Sequence, residues 1–167
     1  MSLYLGKRLI RGTLTIIGLT LGNLSLAATT TTTFTVTATV VSTCSVLATD
    51  LSFGNYDPVS VSDLDSTNTV TVTCTDGTDY DIGLDAGTGS GATVATRKLT
   101  SAGNTLDYTL YQDAPRTTVW GDTVSTDTVS GTASALPAIH TVYGRIGNGQ
   151  NVPAGVYSDT ITVTVTY

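Results

Sequence analysis

The stretch Ile161-Thr162-Val163-Thr164-Val165-Thr166-Tyr167 alternates an apolar side chain with threonine at every step until its closing tyrosine. A period of two puts Ile161, Val163 and Val165 on one face and the threonines on the other, which is the pattern of a half-buried β-strand. Thr69-Val70-Thr71-Val72-Thr73-Cys74 repeats it with Val70, Val72 and Cys74. Phe34-Thr35-Val36-Thr37-Ala38-Thr39-Val40 does so again, with Phe34, Val36, Ala38 and Val40 on one face. Strands are also expected over 80–84, 106–111 and 140–146, separated by turn-forming residues at 54–58, 76–77, 87–91, 101–104, 131–137 and 147–155. All thirteen acidic residues are Asp, and none is Glu, the better helix former of the two. Short strands with turns at this spacing predict an all-β sandwich.

At the N-terminus, Lys7, Arg8 and Arg11 precede an apolar run over 14–21 and the small residues Ser25, Ala27 and Ala28. That order is expected of a secretory signal peptide over residues 1–27, with cleavage after Ala27 or Ala28. The uncharged run is shorter than the roughly 20 apolar residues a spanning helix needs, and Gly18, Gly22 and Asn23 interrupt it or follow it. Removal of the first 27 of 167 residues leaves 140, the size of one domain. Three of the seven basic residues leave with the signal, so the net charge moves from −6 to −9. A chain this acidic is not built for nucleic acid or an anionic membrane surface, both of which recruit Lys and Arg clusters. Two cysteines, Cys44 and Cys74, in a chain bound for an oxidising compartment are expected to form a disulfide. A metal pair or a reactive thiol lacks the ligand cluster or the basic neighbours it needs here.

Both ends depart from a closed sandwich. The last strand runs to Tyr167 with nothing after it to cover its edge, and a long open edge invites pairing with another chain. Upstream of Cys44, the alternating segment 29–41 begins with a run of five threonines, and nothing in the sequence ties it to its own domain. A mobile strand at one end and a missing strand at the other are complementary. Head-to-tail contacts of this kind, if they do not close into a ring, give a filament.

Beyond these patterns, the chain resembles the spore coat protein U domain family, which includes the subunits of Csu-type pili assembled by the archaic chaperone–usher route. The resemblance rests on Cys44-Ser45-Val46 with 51–56, on 70–74, on 108–116 with Val119-Trp120-Gly121-Asp122, and above all on Tyr143-Gly144-Arg145-Ile146 leading to 150–159. The matches span essentially all of the chain after the signal, in family order. The resemblance implies an incomplete immunoglobulin-like sandwich lacking its last strand, with a signal over 1–27, a donor-strand extension over 28–41 and the domain proper over 42–167. It also implies that the disulfide joins the first two strands. Phe34, Val36, Ala38 and Val40 would be the donor side chains. Ile161, Val163 and Val165 would border the acceptor groove, with Tyr167 where a periplasmic chaperone anchors the C-terminus. The implied partners are identical or related pilus subunits, that chaperone and an outer-membrane usher; the implied destination is the cell surface, with a role in attachment and biofilm formation. A tip adhesin with a second domain does not fit into 140 residues. The competing reading is a self-contained secreted β-sandwich that binds carbohydrate or a coat or matrix protein.

No cofactor, metal or catalytic site is expected. His140, the single histidine, lacks a local nucleophile or orienting carboxylate. The glycines of 87–91 precede neither a Lys-Ser/Thr pair nor a helix, so they do not make a phosphate loop. Asp76, Asp79 and Asp81 lack the order and the distal Glu of a helix-loop-helix calcium site. Tyr108 is expected in the core, whereas Tyr111 and Trp120 are left open between core and a sugar-binding surface.

Overall fold

The computed structural model describes residues 27–167, so the expected signal peptide lies outside the described residues except for Ala27. The chain divides into two units, one ending at Ala38 and one spanning Thr39–Tyr167. In the first, residues 27–38 adopt no regular secondary structure, and Phe34 and Val36 are 86% and 81% exposed. The alternation at 34–40 therefore marks a face without making a strand. A strand needs a neighbour to take its N–H and C=O groups, and the pattern alone does not supply one.

The second unit holds eight strands: β1 (Cys44–Ala48), β2 (Leu64–Cys74), β3 (Asp79–Leu84), β4 (Arg97–Ser101), β5 (Asn104–Tyr111), β6 (Val129–Thr132), β7 (Ala138–Ile146) and β8 (Val163–Thr166). They form a five-stranded sheet in the order β1-β2-β7-β5-β4 and a three-stranded sheet in the order β6-β3-β8, with every pairing antiparallel. The inward faces bury Val70 and Val72 of β2, Tyr80, Ile82 and Leu84 of β3, Leu106, Tyr108 and Leu110 of β5, and Val142 and Ile146 of β7. This is an immunoglobulin-like sandwich in which one sheet has two strands fewer than the other.

Two further residues lock the layers. Trp120 is 1% exposed, and its indole N–H donates to the Ile82 carbonyl at 2.8 Å, which settles it as core. Arg97, on β4, is wholly buried and reaches across the sandwich: Nε donates to the Asp85 carbonyl at 2.8 Å, and Nη2 donates to those of Leu84 and Trp120 at 2.9 and 2.7 Å.

Strands β2, β3, β5 and β7 fall where alternation predicted them, each longer than expected, whereas β8 is shorter. The expected turn over 131–137 begins too early, because Gly131 and Thr132 belong to β6. Gly131 sits there because a Cβ would meet the Tyr80 side chain at 2.6 Å. The expected turn over 101–104 is the two-residue β4–β5 hairpin: Ala102 and Gly103 both have positive φ, 46° and 86°, which matches the twist of the flanking strands.

Candidate functional site

Cys44 and Cys74 are directly opposite in the β1–β2 register and form a disulfide, so the bond does join the first two strands. Above it, β1 runs beside β2 only as far as Ala48. The chain then leaves the sheet, because β2 there turns polar side chains to the inside: Asn68 Nδ2 donates to the Thr49 carbonyl and Ser66 Oγ to the Ser52 carbonyl at 2.6 Å. Past that point Leu51 and Phe53 turn inward against β7. Gly144 makes room for them, since a Cβ there would come within 2.8 Å of Phe53 Cζ and 2.9 Å of Leu51 Cδ1.

The departure of β1 leaves the sandwich open on one side. β1 is the edge of one sheet and β8 the edge of the other, and β8 pairs only with β3 among the described residues. The two strands approach each other, but where the chain runs on past Ala48 it parts from residues 159–163, which lead into β8, and a cleft of about 400 Å³ opens between them. Its floor is the core itself, with Val70, Leu84, Leu99, Leu110 and Val142, and its walls carry Leu51 and Phe53 on the β1 side and Ile161 and Val163 on the β8 side. A second cleft of about 650 Å³ adjoins it, sharing Leu51, Phe53 and Leu99 and adding Leu106, Ile146, Val152 and Val156.

The buried polar groups of the first cleft are nearly all engaged. Tyr108 donates its hydroxyl to Asp159 Oδ2 at 2.8 Å, and burial together with this bond pushes the phenol far above its ordinary range. Asp159 Oδ1 accepts from Thr88 N and Oγ1 and from Thr160 N, each at 2.8 Å. The carboxylate is thus held in place by four hydrogen bonds. Asn68 is the exception: its Oδ1 is buried and has no hydrogen-bond partner.

Of the residues singled out from the sequence, Ile161 and Val163 line the cleft, while Val165 is half-buried against the core and Tyr167 is 59% exposed. Phe34, Val36, Ala38 and Val40 are exposed. Sequence reasoning missed Asn68, Asp159, Leu51 and Phe53. Asn68 did leave a signal, since it stands in phase with Val70 and Val72 where alternation asks for an apolar residue. His140 packs edge-on to Tyr80, with Nε2 3.1 Å from the phenol oxygen, and burial lowers its pKa. Asp79 accepts from Thr132, and Asp81 from Thr128 and Ser130. No three potential metal ligands gather among the described residues.

Comparison with known proteins agrees with the fold. Protein U of Myxococcus xanthus is 39% identical over 128 residues, covering 70% of this chain and 71% of that protein. The crystal structure of the CsuC–CsuE chaperone–tip adhesion subunit pre-assembly complex, from the archaic chaperone–usher Csu pili of Acinetobacter baumannii, superposes with a TM-score of 0.56 at 23% identity. That match covers 77% of this chain and 40% of the matched chain, so this chain spans less than half of that protein's length. The model of the Spore Coat Protein U domain fits residues 30–164, from the segment before β1 to the first half of β8, and the chain therefore belongs to the Spore Coat Protein U domain family.

Proposed function

We propose that the chain is a structural subunit of a chaperone–usher pilus, and that the open cleft is filled in the fibre by residues 28–41 of the next copy. The observation that carries this reading is the pairing of two unmet needs: a cleft with an apolar floor beside the unpaired edge of β8, and a segment whose alternating apolar residues, Phe34, Val36, Ala38 and Val40, are exposed. A strand laid along β8 gains main-chain hydrogen bonds along its length, while its alternate side chains enter the cleft. Before assembly a periplasmic chaperone covers the same cleft, with an outer-membrane usher receiving the subunit, and the polymer stands on the cell surface, where it serves attachment and biofilm formation. The role is mechanical, and no residue is assigned to catalysis.

A charge on the inward face of the segment tests this. In Val36→Asp an unpaired carboxylate must enter an apolar cleft, at a cost of several kcal/mol at every joint, on top of the lost valine burial of about 1.5–3 kcal/mol. Thr37→Asp is the matched control, because one step along a strand turns the side chain to the opposite face. Counts of surface fibres by electron microscopy are expected to fall to background for Val36→Asp and to stay near wild type for Thr37→Asp. Equal assembly of the two variants refutes strand donation, and a segment that can be deleted without loss of fibres returns the protein to the self-contained binding domain.

A further inference from the structure

Asn68 occupies an inward position of β2, in phase with Val70 and Val72, and lines the cleft. Its amide orientation is fixed: Nδ2 donates to the Thr49 carbonyl, and the flipped amide would set two oxygens against each other. Oδ1 is left as the one buried side-chain polar atom without a partner among the described residues. A buried acceptor left unpaired is destabilising, so the filled cleft is expected to supply a donor.

We propose that Asn68 is a specificity-determining residue of the cleft, and that its Oδ1 accepts a hydrogen bond from a threonine hydroxyl of the inserted segment. The proposal rests on the strand-donation reading above. A strand lying between the edges of β8 and β1 directs its backbone N–H groups sideways, in the plane of the sheet, toward those edges. The interior of the cleft meets only its inward side chains. The inward face of the segment continues Phe34, Val36, Ala38 and Val40 toward the N-terminus as Thr32 and Thr30. These two are the only inward residues of 28–41 that carry a donor. Of the other acceptors lining the cleft, Asp159 already holds Thr88, Thr160 and Tyr108, and Asp50 is exposed to solvent, whereas Asn68 Oδ1 is buried and unpaired. One hydroxyl against one acceptor restricts the register to the two in which Thr30 or Thr32 meets Oδ1, since any further slip by two residues puts Ala28 or Phe34 at the polar point.

Fibres of the full-length chain carrying Thr30→Val, Thr32→Val or the corresponding Ser substitutions, alone and combined with Asn68→Leu, test this by their dissociation rate in denaturant. Valine keeps the shape and removes the hydroxyl. One of the two Val variants is expected to dissociate about tenfold faster, and the Ser variant at that position near the wild-type rate. With Asn68→Leu the same Val substitution is expected to have no effect or to slow dissociation. Should Asn68→Leu fail to fold, the Val and Ser comparison on the native cleft still decides. Wild-type or slower dissociation of both Val variants overturns the proposal. If Val36→Asp blocks assembly while both threonines prove inert, only the Asn68 contact fails; if Val36→Asp assembles normally, strand donation itself has failed.

Discussion

Arg97 carries a charge into the centre of the sandwich and meets carbonyls there in place of a carboxylate. Besides Leu84, Asp85 and Trp120, Nη1 donates to the Val94 carbonyl at 2.8 Å. Burial lowers its pKa, but an arginine stays protonated, and its fork ties β4 to the end of β3 across the two sheets. Arg97→Met leaves these carbonyls without a donor and is expected to destabilise the domain by at least about 3 kcal/mol in urea unfolding, with Arg97→Lys falling between it and wild type. His140 gives a second test. Its folded-state pKa is lowered by burial, so in acid the unfolded chain binds the proton more readily than the folded one. Stability is accordingly complete above the ordinary histidine value of about 6.5 and falls as the pH drops through it. His140→Gln is expected to flatten the unfolding midpoint between pH 7 and 5. The salt-bridged Asp65, whose pKa the hydrogen bond from Arg145 lowers, acts only in the lower, carboxylate range.

Among the elements, those with a clean period of two were legible: β2, β3, β5 and β7 each set apolar residues against polar ones. β4 was not, because Arg-Lys-Leu-Thr-Ser holds one large apolar residue and its inward charge is satisfied only by carbonyls brought from β3 and from Trp120. β6 was hidden by its glycine, which reads as a turn until the Tyr80 ring above it is known. β8 was legible because apolar residues alternate with threonine through 161–166. The opposite wall of the cleft was not, since the turn of the chain at Thr49 depends on hydrogen bonds from Asn68 and Ser66 on another strand, and the seating of Leu51 and Phe53 depends on Gly144 some ninety positions later. Alternation reports which face of a strand is buried. It does not report where a strand leaves its sheet.

At the scale of the molecule, the disulfide closes a span of 30 residues that contains the whole departure of β1 and the loop back to β2. In the loop-entropy model it contributes about 3.6 kcal/mol, so reduction, or Cys44→Ala with Cys74→Ala, is expected to lower the melting temperature of the full chain by roughly 10 °C or more. An unchanged melting curve would leave the bond without a role in stability. Its position has another consequence. Cys44 is the first residue of β1, so a pull exerted on the segment before it reaches that strand at Cys44 once the hydrogen bonds of Val41 and Thr43 with Thr75 have given way. The sulfur bridge passes the load sideways into Cys74 at the end of the long strand β2, and the hydrogen bonds between β1 and β2 lie behind a covalent stop. A strand under tension peels one bond at a time from the end at which it is gripped, and here that end is welded.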